Sequence, residues 1–112
     1  MPYIKTTANI AISKDQRDAI KTQLGKDISL LGKSESWLMV DFQENAPLYF
    51  KGGQEPAALV GVDLYGGASG TAYGKMTEAI TRLLSERLSI TPDRIFVKYQ
   101  EHKIWGWNGS NF

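Results

Sequence analysis

Apolar residues along this chain come in short β-branched runs and in helical repeats of three and four, and the switches between them lay out its elements. Residues 3–9, Tyr3-Ile4-Lys5-Thr6-Thr7-Ala8-Asn9, are dense in β-branched and aromatic side chains and predict a strand. Ser13-Lys14-Asp15-Gln16 has the Ser-x-x-Gln form of a capping box, with an acid in the first turn. Ile20, Leu24, Ile28 and Leu31 then share one helical face. Gly25 costs this helix about 1 kcal/mol against alanine, and Gly32 suits the position just past its end. Residues 37–42 predict a second strand, Asn45-Ala46-Pro47 a turn, and Leu48-Tyr49-Phe50 a short apolar piece before the clearest loop of the chain, residues 51–56. Residues 57–65 predict a third strand. Gly66-Gly67-Ala68-Ser69-Gly70 leads into a second helix whose apolar face is Met76, Ile80, Leu83, Leu84 and Leu88. After the turn Thr91-Pro92-Asp93, residues 95–99 predict a fourth strand, and the tail, residues 104–112, is aromatic and glycine-rich.

The order is strand–helix–strand twice over, and the halves repeat: residues 31–40 match residues 88–97 in pattern. Each βαβ unit should be right-handed with parallel strands. Two units joined as a split βαβ sheet place both helices on one face of a four-stranded mixed sheet. The strands read as near-continuous apolar runs, as at 37–40 and 57–60, which is the pattern of a sheet buried on both faces. Two helices cover only one face, so self-association is the expected cover for the other.

Composition narrows the function classes. The 112 residues make one domain, residues 1–112, with a modest core. With 42% hydrophobic and 22% charged residues and a net charge of +1, the chain has no electrostatic case for nucleic acid or a membrane surface. It has no cysteine, which excludes disulfides, thiolate catalysis and thiol redox chemistry. The single histidine, His102, makes no metal site alone and reads as a solvated surface residue. No apolar run suits a signal peptide or a membrane span, so a cytoplasmic location is expected.

Two stretches carry candidate chemistry. The glycine-rich turn at 66–70 stands between strand and helix, as a phosphate loop does, but it lacks the following Lys-Ser/Thr and the dinucleotide glycine spacing. The more informative stretch is Met1-Pro2. Methionine is normally trimmed before a small residue, and the mature chain would then begin with a proline whose nitrogen is a free secondary amine. An α-amino group starts with a pKa of about 7.7–8.0. Burial and a nearby cation both lower that value, toward the range where a general base works best. From these two residues alone, Pro2 is either such a base or only a tolerated residue at a chain start.

Several motifs then fall in one order: Pro2 after Met1, the Gly32-Lys33 pair ending the first helix, and Phe50 with Gly52-Gly53-Gln54-Glu55-Pro56-Ala57. Residues 84–95 and the closing Gly106-Trp107-Asn108-Gly109-Ser110 with Phe112 complete it. In this order the chain resembles, end to end, the macrophage migration inhibitory factor family of the tautomerase superfamily. The resemblance implies a duplicated βαβ fold that forms a homotrimer with pockets between subunits. It implies a keto–enol tautomerase, an isomerase of phenylpyruvate-like α-keto acids that works without cofactor or metal. Pro2 would be the catalytic base. Lys33 would hold the substrate carboxylate and help keep Pro2 neutral, with the Tyr65 N–H beside it. Trp107 and Phe112 would wall the pocket, and Phe96 and Lys98 would line a neighbour's. Lys33 is also a cation favoured at a helix C-terminus, and Trp107 and Phe112 also suit plain packing.

The chain departs from the family's cytokine members at several of these positions. Ala57-Ala58-Leu59-Val60 replaces a Cys-x-x-Cys segment, Phe96 a pocket tyrosine, Lys98 an asparagine and Tyr65 a small aliphatic residue. Two other functions fit the resemblance. One is a cytokine-like protein ligand for a receptor, exported without a signal peptide and carrying a vestigial pocket. The other is hydration or dehalogenation of an unsaturated acid, which in such relatives uses extra arginines near the proline. Here Arg17, Arg82, Arg87 and Arg94 fall on helix or turn positions instead.

Overall fold

In a computed structural model covering Met1–Phe112, the first strand, β1 (Pro2–Ala8), lies at the centre of a four-stranded sheet. Helix α1 (Lys14–Asp27) follows, then β2 (Met39–Gln43), β3 (Ala58–Tyr65), α2 (Gly70–Leu88) and β4 (Ile95–His102). The strand order is β2-β1-β3-β4. β1 runs parallel to β2 and β3 parallel to β4, while β1 and β3, the first strands of the two repeats, are antiparallel. This is the split βαβ duplication that the repeated order predicts. Neither helix is long and apolar enough to cross a membrane.

The helices form where the sequence caps them. Ser13 Oγ accepts from the Gln16 N–H and Gln16 Oε1 accepts from the Ser13 N–H, closing the capping box. Gln16 also donates to the Arg87 carbonyl, tying the start of α1 to the end of α2. A 3₁₀ turn, Ile28–Leu31, continues α1, and Gly32 ends it at φ 71°, a left-handed conformation that glycine adopts without a Cβ clash. That stop sets the direction in which Lys33 leaves the helix.

One face of the sheet carries the core. Ile4, Val60, Val62 and Leu64 pack against Ile20, Leu24, Met76, Ile80 and Leu84 in a single apolar cluster. Each such fully buried side chain contributes about 1.5–3 kcal/mol. The strands alternate strictly: β1 buries Pro2, Ile4, Thr6 and Ala8, and β3 buries Ala58, Val60, Val62 and Leu64. Within one chain only this face is covered. The uncovered face carries Tyr3, Lys5, Asp41, Asp63, Lys98 and Gln100 together with Met39, Leu59 and Phe96, a mixed surface on which Met39 and Phe96 are exposed.

Three boundaries also differ from the sequence reading. Trp37 and Leu38 are not in β2. Ser34 Oγ accepts from the Ser36 N–H and starts a 3₁₀ turn over Glu35–Trp37, so the strand begins at Met39. β4 runs past Tyr99 to His102, because its pairing with β3 continues to Tyr65. The tail folds into a hairpin of β5 (Gly106–Trp107) and β6 (Ser110–Asn111). Its turn residues, Asn108 and Gly109, have φ of 52° and 80°, the values a two-residue hairpin turn requires.

Candidate active site

A cleft of about 670 Å³ opens where the start of β1, the Glu35–Trp37 turn, the end of β4 and the tail meet. Pro2 is among its lining residues, buried as the first residue of β1 and paired with Leu64 of β3. Just before it, the Met1 carbonyl accepts from the Tyr65 N–H at 3.0 Å. The Lys33 ammonium, delivered by the turn after α1, donates to the Tyr65 carbonyl at 3.0 Å. Gly66 follows at φ 80°, and a Cβ there would stand 3.7 Å from Lys33 Nζ. The positive φ is what calls for glycine here.

The chain start is electrostatically tuned. The Met1 amine is held below its usual range, first by burial and then by the charge of Lys33. The structure therefore brings Pro2, Lys33 and Tyr65 together around an amine kept toward its neutral form.

The aromatic walls come from the turn and the tail. Trp107 lines the cleft and meets Trp37 edge to face, with ring centroids 4.8 Å apart at 88°. Such a pair is worth about 0.5–1.5 kcal/mol beyond burial. Phe112 sits one layer out, its ring 5.5 Å from that of Tyr65 and its N–H donating to the Trp105 carbonyl at 3.0 Å.

Phe96 and Lys98 lie elsewhere in the same chain. They sit on the uncovered face, beside Leu59 and Gly61, with Phe96 against the Phe50 ring at 4.9 Å. Leu59 is five residues along β3 from Leu64, the partner of Pro2, which is roughly 16 Å of strand. The four arginines line no part of the cleft. Arg94 instead donates to the carbonyls of Pro56, Phe50 and Glu55 and pins the 50–56 loop.

Four polar cleft residues were not among the site residues the sequence singled out: Tyr3, Ser36, Asp63 and His102. The Tyr3 hydroxyl donates to Asp41 at 2.6 Å, and this bond, with burial and the charges of Asp41 and Asp63, raises its pKa. His102 is not a free surface residue. Its Nε2 lies 2.7 Å from Asp63 Oδ1, and its ring meets Trp105 edge to face at 5.4 Å. The signal was in the strand register. Continuing β4 three residues past Tyr99 puts His102 opposite Tyr65 and diagonal to Asp63.

Comparison with known proteins places this geometry. The family model for macrophage migration inhibitory factor matches residues 1–112. The macrophage migration inhibitory factor of Meriones unguiculatus is 28% identical over 117 residues, spanning 100% of this chain and 99% of its own. The crystal structure of Leishmania major MIF2 matches with a TM-score of 0.95 at 31% identity, covering 100% of this chain and 97% of that one. The homologue from Prochlorococcus marinus matches with a TM-score of 0.89 at 29% identity, covering 98% of each.

Proposed function

We propose a function from one premise: the chain belongs to the macrophage migration inhibitory factor family, and with it to the tautomerase superfamily. The protein is an isomerase that interconverts keto and enol forms of phenylpyruvate-like α-keto acids without a cofactor. Its base is Pro2, once Met1 is removed. Going from keto to enol, the neutral Pro2 nitrogen takes a proton from the carbon next to the carbonyl; in reverse its ammonium returns it.

One observation carries this reading. The Tyr65 N–H points at the Met1 carbonyl while Lys33 stands over the Tyr65 carbonyl. Removing Met1 frees that N–H and exposes the Pro2 amine beside a lysine. The substrate carboxylate would then take the place of the Met1 carbonyl, between the Tyr65 N–H and the Lys33 ammonium. A carboxylate accepting charge-assisted bonds there fixes the acid with its reacting carbon at the proline.

The functional unit is a homotrimer. The bare face of the sheet, with Met39 and Phe96 exposed on it, and the two open edges, β2 and β4, support this. In the trimer Phe96 and Lys98 of one subunit would line the pocket of the next, while Trp107, with Phe112 behind Tyr65, forms the near wall. The experiment is the rate of phenylpyruvate enol loss in wild type and in Pro2→Gly, with intact mass read on both. Wild type lacking Met1 and active, with Pro2→Gly at least about 100-fold slower, is the expected result. A Pro2→Gly protein as fast as wild type overturns it.

A further inference from the structure

We infer that His102, oriented by Asp63, is a second proton-transfer residue of the cleft, serving the substrate oxygen while Pro2 serves the carbon. The inference rests on the tautomerase reading above. Tyr65 is the shared neighbour: its N–H bonds the Met1 carbonyl on one side, and His102 is its register partner on the other. Neighbouring strands lie about 4.8 Å apart, so His102 stands roughly two strand spacings from the chain start. Both residues line the same cleft, whose volume of about 670 Å³ holds a small keto acid.

The chemistry follows from the bond to Asp63. A carboxylate only accepts, so the Nε2 that lies 2.7 Å from Asp63 Oδ1 carries the hydrogen. Nδ1 is left as the working nitrogen, an acceptor when the ring is neutral and a donor when it is protonated. The carboxylate fixes this tautomer, and the Trp105 ring stands edge to face against the imidazole. Tyr3, the other protic group of this wall, is a poor rival because its hydrogen is already given to Asp41.

From keto to enol, Pro2 nitrogen takes the carbon-bound proton, and the C–H pair becomes the carbon–carbon π bond. The carbonyl π pair moves to oxygen, which takes the Nδ1 proton of the imidazolium. Pro2 ends as an ammonium and His102 neutral, and exchange with water in the open cleft resets both. The reverse reaction runs the same transfers backward.

The test uses the full-length protein and phenylpyruvate enol, with Pro2→Gly, His102→Gln and His102→Ala variants. His102→Gln should lower kcat by about 100-fold with KM changed less than about threefold. Added imidazole should restore at least about tenfold of the activity of His102→Ala and nothing to Pro2→Gly. If His102→Gln stays within about threefold of wild-type kcat while Pro2→Gly is inactive, Pro2 works alone: the inference fails and the tautomerase reading stands. A slow His102→Gln with no imidazole rescue of His102→Ala also overturns it, because the ring's role is then packing. If Pro2→Gly is as active as wild type, both readings fall together.

Discussion

The Tyr65 N–H donates to the Met1 carbonyl at 3.0 Å, so the residue before Pro2 fills the position that the proposed site needs for a substrate carboxylate. An inserted alanine between Met1 and Pro2 would leave an Ala-Pro start after trimming. Its Pro2 nitrogen would be an amide without basicity, and the alanine carbonyl would again take the Tyr65 N–H. Tautomerase activity should fall at least about 100-fold with the fold unchanged by circular dichroism. Retained activity in this insertion variant would remove the Pro2 amine from the mechanism.

Lys33 makes a prediction about pH. Burial and then the Lys33 charge hold the amine at the chain start below its usual range. In the proposed site the trimmed Pro2 amine would stand beside the same lysine, and only its neutral form accepts a proton. Lys33→Ala removes one of the two depressing causes, so the amine pKa rises and the acidic limb of kcat/KM moves to higher pH. The carboxylate also loses a charged partner worth about 1.5–3 kcal/mol, which should raise KM by roughly 10- to 100-fold. A limb and KM that stay where wild type has them would show that Lys33 only closes the C-terminus of its helix.

Much of this arrangement was legible in the sequence because it rests on local rules. The Ser13–Gln16 capping box, Gly32 and the repeated strand–helix–strand order fix where Lys33 emerges and which strand carries Pro2. The wall opposite was not legible. Trp37 looked like strand because its neighbours are apolar, yet the Ser34 cap turns it into the cleft against Trp107. His102 looked solvated because nothing within its own segment pairs with it. Asp63 is 39 residues away and meets it only through the β3–β4 register. Pairings set by tertiary register leave no local periodicity to read.

Thr6 offers a stability test outside the cleft. Its side chain is fully buried in the sheet's core face, and its Oγ1 has no hydrogen-bond partner. A buried unpaired hydroxyl costs about 1–3 kcal/mol. Thr6→Val keeps the shape and removes the polar atom, so it should stabilise the protein by about 1 kcal/mol and raise its melting temperature. A lower melting temperature for Thr6→Val would mean that the hydroxyl is satisfied in solution.

The uncovered sheet face predicts assembly. Tyr3, Lys5, Asp63, Lys98 and Gln100, with Met39 and Phe96 exposed among them, form a mixed surface flanked by two unpaired strand edges. A closed ring of subunits pairs edges and leaves no template for further growth. Sedimentation equilibrium at micromolar concentration should give about three chains per particle. A stable monomer would separate Phe96 and Lys98 from any pocket containing Pro2.

Substrate choice follows from those last two residues. Phe96 and Lys98 stand two apart on β4 and project from the same uncovered face, beside Leu59 and Gly61. The Lys98 stem lies across Gly61, where a Cβ would come 3.6 Å from its Cε. None of the ion pairs of the chain uses its ammonium. In the proposed trimer this pair faces the neighbour's pocket at the end away from Pro2. Phe96 offers that end no hydroxyl, so a neutral polar group on the substrate gains nothing there. The unpaired Lys98 cation instead favours an anion, and a charge-assisted bond adds about 1.5–3 kcal/mol. The protein should therefore prefer the enol of a keto acid carrying a second carboxylate over a neutral aromatic one. Lys98→Asn should lower the ratio of their kcat/KM values by about tenfold or more while sparing the monocarboxylate. The measurement is that ratio in the two proteins. An unchanged ratio would mean that Lys98 extends into solvent and takes no part in selecting the substrate.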